Sequence, residues 1–158
     1  MLFRSALILS RQNLPTLDRS KFASAKGVAK GGYVLADAPD PKVILIASGS
    51  ELHLAVEAWE KLSEEGIPAR VVSLPSWDLF EAQDQAYRDS VLPPDNWNRV
   101  TIEMSATLGW DRYAGPTGTI IGIRSFGASA PLAALLDKFG FTLDKVLEAA
   151  RAQAKKAG

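Results

Sequence analysis

Arg11 is the first residue of this 158-residue chain whose type and place have chemistry to offer. It follows the apolar run Ala6-Leu7-Ile8-Leu9-Ser10, which reads as a short buried strand. A strand end is a rigid mount, and a guanidinium there presents a planar fork that grips phosphate bidentately. Arg at a strand end is more often a salt-bridge partner. Ser48-Gly49-Ser50 ends a second apolar run and opens a helix, where free backbone amides attract an anion; a plain helix start has the same look. Neither the dinucleotide fingerprint G-x-G-x-x-G nor the phosphate loop G-x-x-x-x-G-K-[ST] is present. His53, the only histidine, has Ser50 and Glu57 at helical spacing. A catalytic histidine needs such partners, and a surface or interface histidine has them by chance. Glu103 and Arg124 each fall at the end of a predicted strand, where open α/β sheets bind ligands. They suit a substrate clamp or a structural ion pair.

Composition removes several classes of function. Lys plus Arg equals Asp plus Glu at 18 each, so the formal charge is zero and indicates neither a nucleic-acid nor a membrane partner. The absence of Cys excludes disulfides, thiolate nucleophiles and Cys-rich metal sites, and a single His excludes a multi-histidine site. No stretch approaches the roughly 18 apolar residues of a membrane span, and Met1 to Ser5 is too short for a signal sequence. The expectation is a soluble, cytoplasmic chain. A hydrophobic content of 47% supplies the core of one domain at this length.

The elements that position these residues follow from periodicity. Val43 to Ala47 is a continuous apolar run and predicts a strand covered on both faces. Ser48 and Glu51 match a capping box. The helix after them turns Leu52, Ala55, Val56, Trp59 and Leu62 inward and Glu57, Glu60, Lys61 and Glu64 outward. Gly66 and Pro68 end it, and Ala69 to Leu74 completes a right-handed β-α-β crossover. One or two surface helical segments follow over Asp78 to Leu92. Strands are expected at Arg99 to Glu103 and Gly118 to Ile123, with a short helix at Leu108 to Tyr113 between them. Pro131 opens a helix with Leu132, Leu135, Leu136 and Phe139 inward, and Gly140 stops it. Thr142 caps the last helix, with Phe141 and Val146 at the positions of a hydrophobic staple. Tyr33-Val34-Leu35 adds an edge strand. Trp77, Trp97, Trp110, Phe80 and Phe126 lie outside the strands and suit interdomain contact or a local core. The aperiodic stretch from Arg11 to Gly32 is long for a connection inside one domain. It reads as a linker pinned to a neighbour. The fold class is α/β, a three-layer α/β/α sandwich with a mixed, mostly parallel sheet. Residues 31–158 form the domain proper, and residues 1–30 lie ahead of it.

Several words of the sequence resemble the transketolase family in order. Ser10-Arg11-Gln12-Asn13-Leu14-Pro15 is similar to the end of its middle, pyrimidine-binding domain. Gly31 to Leu35, Ala47 to Glu51, Arg70 to Trp77, Tyr87 to Pro93 and Phe126 to Pro131 are similar to its C-terminal domain. Met1 to Ser5, Met104 to Thr107 and Asp111 depart from the family pattern. The resemblance implies an antiparallel edge strand at Tyr33. It also implies a fragment of an enzyme that moves a two-carbon ketol unit between sugar phosphates in the pentose phosphate pathway. That enzyme is a homodimer using thiamine diphosphate and a divalent metal, magnesium or calcium. The cofactor, the metal and the catalytic groups belong to domains outside this chain. The fragment then carries no catalytic, cofactor or metal residue, serves in domain and dimer organisation, and is inactive alone. Arg11 is the one residue carried over, as the arginine that grips the substrate phosphate. The other readings are a fragment of a related thiamine-dependent synthase and a free-standing α/β ligand-binding or scaffolding module.

Overall fold

The five strands of the sheet are built on apolar runs of the sequence. The computed structural model describes residues 6, 9, 10 and 12–157. Its strands are β1 (Tyr33–Ala36), β2 (Val43–Ala47), β3 (Ala69–Ser73), β4 (Arg99–Ala106) and β5 (Thr119–Ile123). Between and after them lie α1 (Leu52–Glu64), α2 (Trp77–Glu81), α3 (Gln85–Val91), α4 (Asp111–Ala114), α5 (Leu132–Phe139) and α6 (Leu143–Ala154). The sheet order is β1-β3-β2-β4-β5. β1 runs antiparallel to β3, and every other pairing is parallel. Both the crossover from Val43 to Leu74 and the antiparallel edge at Tyr33 are as expected. No helix among the described residues is long and apolar enough to cross a membrane.

β2 occupies the centre, and all five of its residues are buried. Its alternate side chains feed two cores, which explains the unbroken apolar run. On one face Leu45, Val100 and Ile102 pack with Ala55 and Leu62 of α1 and Val146 and Ala150 of α6. On the other, Ile44, Ile46 and Val72 meet Phe80 of α2, Val91 of α3, and Trp110 and Tyr113 around α4. The three layers follow from those two faces. Gly66 at φ 73° reverses the chain after α1, and the Ile67 amide bonds the Leu62 carbonyl at 2.8 Å. Thr142 caps α6 by accepting from the Lys145 amide at 3.4 Å.

Arg99 opens β4 as a buried cation held by carbonyls. Its guanidinium donates to Asn96 at 2.8 Å, Tyr113 at 3.0 Å and Pro93 at 2.6 Å, and lies 4.3 Å from the Trp97 ring. Burial pushes its pKa down to about 10, so it stays charged at neutral pH. It fixes the loop entering β4 and the end of α4 to the strand.

Three local expectations are corrected. Ser48 makes no capping bond, because a 3-10 turn over Gly49–Glu51 intervenes before α1 and its hydroxyl is taken by Glu103. α5 buries none of its residues: Leu135, Leu136 and Phe139 are half-buried and Leu132 is 43% exposed. The C-terminal end of the helix shares a groove with β5, the edge strand, and only Leu136 and Phe139 of it pack against the larger core. The stretch before β1 is not uniformly irregular either. Ser24 caps a 3-10 helix over Ala25–Lys30, and Phe22 enters the core against Trp59 with ring centroids 6.1 Å apart. The strand expected over residues 6–10 falls largely outside the described residues.

Candidate functional site

The carboxyl ends of β2 and β4 hold the concentration of polar groups that chemistry requires. β2 leads through α1 to β3 on one side, and the chain later returns to place β4 on the other. The loops after β2 and β4 therefore leave in opposite directions, and a crevice opens where they part. Ser48, extended at φ −129°, turns its hydroxyl across the crevice and donates to the Glu103 carboxylate. Gly49 at φ 54° lets the chain turn directly into the 3-10 segment. That turn buries Glu51, whose carboxylate accepts from the Ser50 hydroxyl at 2.6 Å and the Met104 amide at 3.3 Å.

Two carboxylates thus approach the same strand end from adjacent strands. Burial pushes the Glu103 pKa above its ordinary value; the charge of Glu51 adds to this, and the bond from Ser48 partly opposes it. Trp77 and Trp110 wall the crevice, edge to face at 5.1 Å, with Leu74 and Leu108. The open groove beside them measures about 280 Å³. The arrangement can hold a proton or attract a cation, and its electrostatics disfavour an anion.

The other residues singled out by sequence disperse. Arg124 is exposed and makes no ion pair with Glu103 among the described residues. β4 extends to Ala106, so Glu103 sits inside the strand, whereas Arg124 lies beyond the end of β5. His53 turns its Nδ1 to the Ser50 carbonyl rather than to Glu57. Trp77, Trp110 and Phe80 fill a local core with Tyr113, Trp97 stacks on Arg99, and Phe126 is 98% exposed. Arg11 lies outside the described residues. Sequence reasoning missed the meeting of Glu51 with the end of β4. The S-x-x-E word marked both Ser48 and Glu51, but only the strand order reveals that β4 brings Glu103 between them.

No three metal-ligating side chains come together among the described residues.

Residues 31–142 match the family model of the transketolase-like C-terminal domain. The chain belongs to the transketolase family. It is 49% identical over 150 residues to the transketolase of Geobacillus stearothermophilus and 51% identical over 149 residues to that of Halalkalibacterium halodurans. Each alignment covers 94% of this chain and 22% of the relative. Among solved structures, a Pichia stipitis transketolase in complex with sedoheptulose-7-phosphate superposes with a TM-score of 0.82 at 36% identity. That match covers 92% of this chain and 21% of the other. The chain thus spans about a fifth of the length of these transketolases.

Proposed function

We propose that this chain is the C-terminal part of a transketolase. The whole enzyme transfers a two-carbon ketol unit between sugar phosphates with thiamine diphosphate and a divalent metal, and this part organises its domains and dimer. The single observation that carries the reading is the family match over residues 31–142 with about half identity to transketolases along 94% of the chain. Thiamine diphosphate would supply the carbanion to which the ketol unit is transferred. Residues 1–30 are assigned to the end of the preceding domain and its connection. Arg11 takes the role of phosphate anchor: its charged fork fixes the far end of the sugar and so orients the reacting carbonyl.

The test uses the full-length enzyme and its Arg11→Ala form with phosphorylated and unphosphorylated acceptors. Loss of the anchor should weaken phosphorylated sugars by about 1.5–3 kcal/mol in kcat/KM, the worth of a charge-assisted bond, and leave cofactor affinity unchanged. Equal losses on both acceptor types would remove Arg11 from the phosphate site. The 158-residue chain alone should transfer no ketol group when supplied with cofactor and metal. Measurable turnover would overturn the fragment reading.

A further inference from the structure

We propose that the crevice between the carboxyl ends of β2 and β4 binds a small organic cation with a flat apolar body, such as an arylamidinium or aryl guanidinium. Four observations bear on it. The first is position: the crevice opens at the one place where the direction of strand succession reverses, the usual location of ligand sites in open α/β sheets. The second is shape. Trp77 and Leu108 give the groove its accessible apolar surface, with Trp110 and Leu74 buried behind it, and about 280 Å³ lies just below the usual range for ligand sites, roughly 300–1,000 Å³.

The third is charge. Glu103 is half-buried on the cavity wall, and no Lys or Arg pairs with it among the described residues. Its bonds there come from Ser48 and leave carboxylate lone pairs free to accept from a ligand. The burial and the neighbouring charge that raise its pKa are both relieved when a cation arrives. The half-buried Trp77 indole beside a carboxylate complements an organic cation: the ring covers its body and attracts its charge, while the carboxylate takes its N–H groups. Phosphates, sugar phosphates and carboxylates meet only repulsion there. The fourth is the exposed Leu108, 88% accessible at the rim, an apolar side chain left in water where a ligand would cover it.

Benzamidine serves as the probe, titrated into the full chain while the four indole N–H resonances are followed by NMR. Those of Trp77 and Trp110 should shift saturably, with Trp59 and Trp97, which line other parts of the fold, unmoved. Benzoate has the same body with the opposite charge and should shift none of them. Glu103→Gln should weaken the benzamidine affinity at least tenfold with the Trp59 resonance intact, which reports a retained fold. Leu108→Lys, at an exposed position, should abolish binding by placing a competing cation at the rim. Equal affinity in Glu103→Gln, comparable binding of benzoate, or no saturable shift in the parent chain would each overturn the proposal.

Discussion

Thr101 lies in the middle of β4, opposite Ile46 on one side and Ile120 on the other, with its hydroxyl fully buried. That hydroxyl finds no hydrogen-bond partner among the described residues. A buried polar group without a partner costs about 1–3 kcal/mol, whereas a methyl of the same shape costs nothing there. Thr101→Val should therefore raise the free energy of unfolding by about 1 kcal/mol, read from urea denaturation; a fall would mean that the hydroxyl has a partner. Glu103 makes the complementary case for charge. Its pKa is raised in the folded protein, so the folded state holds the proton more tightly than the unfolded chain. Stability is then lost as pH rises from the unfolded value, about 4.3, through the raised folded value, and the loss is complete above it. The groups facing this carboxyl are Ser48 from the loop after β2 and Glu51 from the turn into α1; burial keeps its pKa high, and the charge of Glu51 adds to that. Glu103→Gln retains an acceptor for Ser48 and removes the charge. It should be more stable than the parent at pH 7, and the advantage should shrink toward pH 4. A constant difference across that range would show that Glu103 does not titrate in this environment.

Elements were legible in the sequence where one pattern dominated. The run from Val43 to Ala47 is apolar at every position because β2 feeds both cores, and Leu45 sits fully buried in the larger of them. Leu45→Ala should cost about 2–5 kcal/mol through lost contacts and a residual cavity; a change below about 1 kcal/mol would mean the site collapses or is not core. The crossover, the caps at Gly66 and Thr142 and the edge strand at Tyr33 were likewise readable, since each depends on residues adjacent in the chain. What failed depended on neighbours distant in sequence. Ser48 has the local signature of a capping residue, but Glu103, 55 positions away, outcompetes the helix amides for its hydroxyl. α5 has an apolar face at helical spacing, yet its burial depends on whether a layer lies beyond β5, which periodicity does not encode. The Glu51–Glu103 approach was invisible for the same reason: it is made by the order of strands in the sheet.

At the scale of the whole molecule, the open question is where the folding unit begins. The aperiodic stretch before Gly31 suggests a linker, yet Phe22 is buried against Trp59, the Ala23 amide bonds the Leu35 carbonyl of β1 at 3.0 Å, and Lys21 pairs with Glu60. Of these, the exposed ion pair contributes least, about 0–1 kcal/mol, and the aromatic side chain most. Removing residues 1–30 should therefore destabilise the remainder by about 3–5 kcal/mol, the usual loss for a buried aromatic. Phe22→Ala in the whole chain should reproduce most of that loss. Phe22→Ala should move the Trp59 indole resonance and leave Trp77 and Trp110, on the opposite face of the sheet, unmoved. If the piece beginning at Gly31 unfolds at the same urea concentration as the full chain, the docked segment contributes nothing, and the unit begins at Gly31 after all.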